Sequence, residues 1–278
     1  MTVEFSFDGE AVAPRDAATV LVLREGAHGP EIFFVKRSAG VAFMGGAYVF
    51  PGGRLDAGDA DPSVPCDLSA HEAAMRLGDE LPERALGLHV AALRECLEES
   101  GILLATAPVD PAIVSELRAA LSPRNAPPIG PLLARHGITL AARGLVPFSR
   151  WVTPRAETRR FDARFFLART SERHDGATHD GGETVASEWL TPSEAIERAK
   201  RREIVLAPPT WRTLDAIRDA RTVDDVIARA PNVIKPQEPD VVLDGDAPCV
   251  VFPAAMLPDG TPLATKFRYD DGAWTPGC

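Results

Sequence analysis

"LRECLEESGI", residues 93–102, sets Glu95, Glu98 and Glu99 among Leu93, Cys96 and Leu97 and closes on Gly101. Turned as a helix at about 100° per residue from Glu95, Glu98 falls near 300° and Glu99 near 40°, while Val90, Leu93 and Leu97 fall between about 160° and 220°. The acids share one edge and the apolar residues hold the other. A solvated surface helix has the same pattern. Gly101 tilts the reading, because a glycine there is a usual left-handed cap and so places all three carboxylates in the last two turns. The negative end of the helix dipole opposes them at that point by ~0.3–1 kcal/mol each. Three repelling carboxylates in that position call for a cation, and hard divalent ions such as Mg²⁺ take carboxylate oxygens.

Working outward, "FPGGRLDAGD" (50–59) places Gly52 and Gly53 where backbone carbonyl groups can approach the same ion, since glycine permits loop geometry that other residues resist. "ATVLVLRE" (18–25) and "EIFFVKRS" (31–38), split by "GAHGP", predict an antiparallel hairpin. Residues 61–82 are Pro-bounded, hold a short helical pattern in "SAHEAAMRL", and predict a surface excursion. "DPAIVSELRAALS" (110–122) predicts a helix with Asp110 as N-cap and Pro111 in the first turn. Strand-like runs return at "LVPFSRWVTP", "RRFDARFFLARTS" and "TVASEWLTP", followed by helices from "TPSEAIERAKRRE" onward. Strands and helices interleave without regular β-α alternation, which predicts an α+β or α/β/α sandwich class.

The chain has 278 residues, 45% of them hydrophobic, enough to bury a core. Its apolar runs are too short or interrupted to span a bilayer, and "MTVEFSFDGE" lacks the basic-then-apolar pattern of a leader, so a cytoplasmic protein is expected. The net charge of −10 opposes binding to nucleic acid or an anionic membrane. Cys66, Cys96, Cys249 and Cys278 show no C-x-x-C spacing, and reduced thiols are expected.

Together, the glycine loop and the acidic helix resemble the Nudix box, G-x5-E-x7-R-E-U-x-E-E-x-G-U, where U is aliphatic. Gly53 matches its first glycine, Arg94 and Glu95 its R-E, Glu98 and Glu99 its E-E, Gly101 its last glycine and Ile102 its last U. Asp59 replaces the first glutamate, Cys96 stands at the first U, and 34 residues (60–93) rather than seven separate Asp59 from Arg94. The extra residues fall in the Pro-bounded excursion, where an outward loop would leave both anchors in place. "FFVKRSAGVAFMGGAYVFPGGRLD", "WVTPRAETRRFDARFFLA", the "GGE...EW" stretch and "LAPPTWRTL" are similar to the coenzyme A diphosphatase-like subfamily with an interrupted box.

That resemblance implies a Nudix α/β/α sandwich with a mixed sheet over residues 1–220, interrupted by an insertion near 61–89 and a helical insertion near 108–145. Residues 221–278 form an extension packed on the domain or on a partner. It implies Mg²⁺ or Mn²⁺ held by Glu95, Glu98 and Glu99, with the Gly53 carbonyl as a further ligand, and Arg94 orienting Glu98 from four residues away. In the loop before Trp189, Glu183 is the expected base and Glu188 its rival. Arg37, Arg155, Arg159 and Arg160, with Lys36, are the candidate phosphate ligands, since Arg suits bidentate phosphate contacts. Trp151 and Phe148 are read as adenine-stacking or core residues. His28, His71, His174 and His179 are read as surface or turn histidines. The implied reaction is hydrolysis of the phosphoanhydride of a nucleoside diphosphate derivative, coenzyme A or an acyl-coenzyme A first, ADP-ribose or a nucleotide sugar next, with a non-catalytic nucleotide-binding regulator as the rival. The partner is then a small nucleotide derivative, with neither nucleic acid nor membrane, and a homodimer is conceivable.

Overall fold

The structure, a computed structural model, describes residues 12–40, 44–78, 81–122, 126–170, 179, 184–257 and 260–277. Strands β1 (Arg15–Gly26) and β2 (Gly29–Arg37) form the predicted hairpin, Gly26 pairing with Gly29 across the two-residue turn. Short β3 (Tyr48–Val49) pairs with β2, and β4 (Gly52–Arg54) pairs with β1. Beyond them come β5 (Leu145–Val152), β6 (Phe161–Arg169), β7 (Thr184–Leu190) and β8 (Pro236–Gln237). The eight make one mixed sheet in the order β3-β2-β1-β6-β5-β8, with β7 also on β2; β1 runs parallel to β6 and antiparallel to β2 and β4.

The period of two along the central strands divides their side chains between two cores. Ala18, Val20 and Val22 of β1, Phe33 and Val35 of β2 and Phe166 and Ala168 of β6 face one core. Leu21, Leu23, Ile32, Phe34, Phe165 and Leu167 face the other. On the first face lies α2 (Pro82–Ser100), which buries Leu88, Leu93 and Leu97 completely. Each such side chain contributes about 1.5–3 kcal/mol of burial. On the second lie α5 (Pro192–Lys200), α6 (Pro208–Asp215) and α7 (Val223–Ala228). The result is the α+β, helix-sheet-helix arrangement expected from the sequence.

The excursion has the expected short helix but departs from expectation in its packing. Helix α2 begins at Pro82, so residues 82–89 belong to the main helix, and Ala85, Leu86, Leu88 and His89 are buried. Ahead of it, α1 (Ala70–Leu77) is capped by Ser69 and Glu72 in a reciprocal box, and Ala73 and Leu77 join Val64 and Leu68 in the core of the first face. The segment is therefore packed rather than looped outward. Its short apolar i, i+4 face, Ala73 and Leu77, is easily read as surface because prolines and acids surround it. It packs beside the second insertion, α3 (Pro111–Leu121) and α4 (Ile129–Arg135), and the chain there is tied back by Arg143, whose guanidinium pairs with Glu72.

After residue 239, β9 (Asp240–Asp244), β10 (Ala247–Val251), β11 (Lys266–Asp270) and β12 (Ala273–Pro276) form a separate antiparallel sheet. Val250, Phe252, Phe267 and Trp274 bury against Trp151 and Trp211 on the second face, so the extension packs on the domain itself. Cys249 is disulfide-bonded, which corrects the expectation of four reduced thiols; Cys66 and Cys96 are free. Spacing along the chain says little about which cysteines meet in space.

Candidate active site

Strand β4 and the last turns of α2 form the site. Register with β1 sets Gly53 opposite Ala18 and Gly52 opposite Thr19, which brings the glycine turn down on the acidic edge of the helix. A Cβ at Gly53 would stand 2.2 Å from Glu95 Oε1, so glycine lets the strand close on that carboxylate without displacing it. The Gly52 N–H donates to Glu99 Oε2 at 3.0 Å.

Arg94 is the hub. Its Nε and Nη2 donate to the two oxygens of Asp59 at 2.8 and 2.9 Å, its Nη1 donates to Glu95 Oε1 and Glu98 Oε1 at 2.9 Å each, and Nη2 also reaches the Arg54 carbonyl at 3.0 Å. Arg94 is 6% exposed and Asp59 1%, so this pair is buried. The bidentate contact is the strong geometry for a guanidinium and a carboxylate. Although 34 residues intervene, the packed excursion delivers Asp59 to the place that the box assigns to its first glutamate.

One guanidinium thus serves three carboxylates, and the balance is incomplete. Burial pushes the Glu95 carboxyl up to about 7 despite the opposing charge of Arg94, and burial likewise raises Glu98. The charge of Arg94 itself is secured against burial by its bond to Asp59 and by the charges of Glu95, Asp59 and Glu98. Among the described residues no three His, Cys, Asp or Glu side chains stand ready-grouped around a metal position, and Arg94 holds Glu95 and Glu98. The donor set still suits a hard dication: all its side-chain donors are carboxylate oxygens, half-buried or buried beside a glycine turn, and they are short of positive charge.

These acids line a cleft of about 1360 Å³ together with Gly52, Gly53, Arg37, Arg159 and Arg160. Arg159 is exposed. Arg160 is buried and committed: Nε donates to the Thr153 carbonyl at 3.0 Å, Nη1 to the Val12 carbonyl at 2.7 Å and Nη2 to Glu238. Arg155 is exposed, faces Glu238 at 3.4 Å and does not line the cleft. Lys36 lies 5.8 Å over the Tyr48 ring. Trp151 lines the cleft but is buried, its Nε1 donating to Thr213 at 3.2 Å, and Phe148 is buried in the second core. Glu188 accepts from Arg198 and from the Tyr48 hydroxyl, bonds that hold its carboxyl below the usual range, as a structural strand residue would be held. His28 and His71 are exposed; the backbone N–H of His179 donates to Ser187 Oγ at 3.3 Å. Glu183 and His174 lie outside the described residues.

Three residues escaped the sequence reading. Glu157 lines the cleft with its carboxyl raised by burial to about 7; it sits in "PRAETRR", where only the arginines drew attention. His89, on the buried side of α2, donates from Nδ1 to the Ala85 carbonyl at 2.8 Å and packs on Phe166. Arg118 of α3 donates from Nε to the Glu98 carbonyl at 3.0 Å and from Nη2 to the Glu99 carbonyl at 3.2 Å. No local pattern announces that last contact, because it joins two elements across the fold.

Comparison with known proteins shows the family to which the chain belongs. Residues 61–217 match the family described as the NUDT19 Nudix domain, more than half of the 278-residue chain. The chain is 29% identical over 266 residues to "Acyl-coenzyme A diphosphatase NUDT19" of Gallus gallus, covering 76% of this chain and 70% of that protein. To the Homo sapiens protein of the same name it is 28% identical over 291 residues, covering 83% and 73%. Among solved structures, a NUDIX hydrolase from Alicyclobacillus acidocaldarius superposes with a TM-score of 0.64 at 27% identity, covering 78% of this chain and 96% of that one. With its interrupted box reassembled around Arg94, the chain belongs to the Nudix hydrolase family, in the branch defined by the NUDT19 Nudix domain.

Proposed function

We propose that this enzyme cleaves the diphosphate of coenzyme A or of an acyl-coenzyme A, using Mg²⁺ or Mn²⁺ held by Glu95, Glu98 and Glu99 with the Gly53 carbonyl. The observation that carries the reading is the under-compensated carboxylate set beneath the glycine turn at the wall of a large cleft. A bound dication supplies charge neutralisation on the diphosphate and a more acidic water. The chain's own residues do the rest. Arg94 holds Glu95 and Glu98 in direction, and the Gly52 N–H holds Glu99. Arg37 and Arg159 line the cleft and are the proposed ligands of phosphate oxygens, and Arg160, engaged with Glu238 and two carbonyl groups, shapes the segment that carries Arg159. Glu183 is the proposed base. The substrate choice is supported by the printed names of the chicken and human relatives.

The test is to incubate the protein with coenzyme A, an acyl-coenzyme A and ADP-ribose, each with Mg²⁺ or Mn²⁺, and to resolve products by mass. 3′,5′-ADP with 4′-phosphopantetheine, or its acyl form, is expected. Cleavage of ADP-ribose alone moves the substrate to the nucleotide sugars. Binding without products at any metal concentration supports a nucleotide-binding regulator.

A further inference from the structure

Helix α2 carries Glu95, Glu98 and Glu99 in its final turns and has no basic residue in its last turn. Its end carbonyl groups and its acidic side chains therefore add negative potential at the same place. The compensating cation comes from another element. Arg118 donates through two nitrogens to the carbonyl oxygens of Glu98 and Glu99, 3.0 and 3.2 Å away, and its Nη1 lies 3.1 Å from where a Cβ on Gly101 would stand. Gly101 is thus left-handed, with φ 73°, and is also covered by the guanidinium. Arg118 is not adrift on the surface: its neighbour Leu117 is 1% exposed, and Leu117 and Leu121 share a core with Leu93 and Leu97 of α2.

We infer that Arg118 is a positioning residue for the metal-binding carboxylates, and that the helical insertion carrying it is part of the hydrolytic machinery rather than an ornament. Its hydrogen bonds to the Glu98 and Glu99 carbonyl oxygens fix the peptide groups from which those side chains project, and its charge offsets the end of the helix. Arg94 has the complementary task, since it binds the Glu95 and Glu98 carboxylates directly. The inference rests on the proposed metal reading of Glu95, Glu98 and Glu99. Partners of metal ligands typically alter affinity by about 10–100-fold when removed.

The experiment measures Mn²⁺ binding by electron paramagnetic resonance on full-length wild type, Arg118→Gln, Arg118→Lys and, as a control, Arg143→Gln. Arg143 belongs to the same insertion but pairs with Glu72, away from the end of α2. Arg118→Gln is expected to weaken Mn²⁺ binding about 10-fold or more, Arg118→Lys by a smaller factor because it keeps the charge, and Arg143→Gln not at all, whatever it does to the melting temperature. If Arg118→Gln does not fold, the Lys variant alone decides: unchanged affinity there overturns the two-carbonyl clamp. Equal affinity in wild type and Arg118→Gln overturns the inference, as does an equal loss in Arg143→Gln. Absence of Mn²⁺ binding by the wild type removes the metal reading and this inference with it.

Discussion

Asp59 and Arg94 stand 35 positions apart in the chain yet meet through two parallel hydrogen bonds of 2.8 and 2.9 Å, both side chains almost fully buried. The interrupted box is thereby closed by a single pair. Removing one member leaves the other charge buried without its chief partner, a change that typically costs about 3–5 kcal/mol. Asp59→Ala should therefore lower the unfolding free energy by about that amount in urea titrations. A loss below ~1 kcal/mol means that the pair does not hold the box together.

Gly53→Ala tests the close approach of strand and helix. The new methyl would stand 2.2 Å from Glu95 Oε1, well inside contact, and Glu95 must move. Because Glu95 is also bound to Arg94, the displacement should reach Glu98 as well. The expected result is a protein that folds, with its melting temperature lowered by a few degrees, but binds Mn²⁺ at least about 10-fold more weakly. Calorimetric titration checks it; wild-type affinity would show that the turn and the carboxylate have room to spare.

The residues that made the site legible share a feature, and so do those that did not. Glu95, Glu98 and Glu99 lie within one periodic segment, so the helical wheel alone brings them together, and Gly53 and Asp59 are fixed by short spacing to each other. The hairpin β1–β2 was legible for the same reason: its signal is local alternation around a two-residue turn. Arg118, Glu157 and His89 depend on which elements pack together, and nothing in their immediate neighbours encodes that. The excursion was misread outward because its buried residues, Val64, Leu68, Ala73, Ala74 and Leu77, are scattered among polar residues in a proline-bounded segment. The C-terminal sheet was seen only as strand-like runs, since its burial comes from Trp151 and Trp211 on the far side of the domain.

His89 predicts an acid limb in stability. Burial pushes its imidazole down to about 4 from an ordinary 6.5, so the unfolded chain takes up a proton that the folded chain refuses. Its contribution is complete above pH ~6.5 and is lost as pH falls toward about 4, amounting to ~3 kcal/mol at most. Glu95 runs the other way. Its carboxyl is raised to about 7, so without metal its contribution is present below pH ~4.5 and lost as pH rises to 7. In metal-free protein the two slopes oppose each other between pH ~4.5 and ~6.5. His89→Leu should remove only the His89 slope, leaving stability in that window falling more steeply with rising pH than in wild type. Urea titrations at pH 5 and 6.5 give both values, and identical pH dependence in wild type and variant would exclude His89 as the buried neutral group.

Glu183 and Glu188 separate a chemical from a structural acid. On β7, Glu188 receives the Tyr48 hydroxyl at 2.8 Å and the Arg198 guanidinium, and its lowered carboxyl marks it as a committed anion with no proton to exchange near neutrality. Glu188→Gln should therefore destabilise the sheet by about 1–3 kcal/mol, as expected for a lost charge-assisted bond, and leave kcat within a few-fold of wild type. Glu183→Gln should do the reverse, lowering kcat by about 10²–10⁴-fold with little change in KM or in melting temperature, because general-base catalysis contributes on that scale. Steady-state kinetics on coenzyme A alongside thermal melts of both variants decides between them. If Glu188→Gln abolishes turnover while Glu183→Gln does not, the base sits on the strand beside Trp189, and Arg198 must then release it before each reaction.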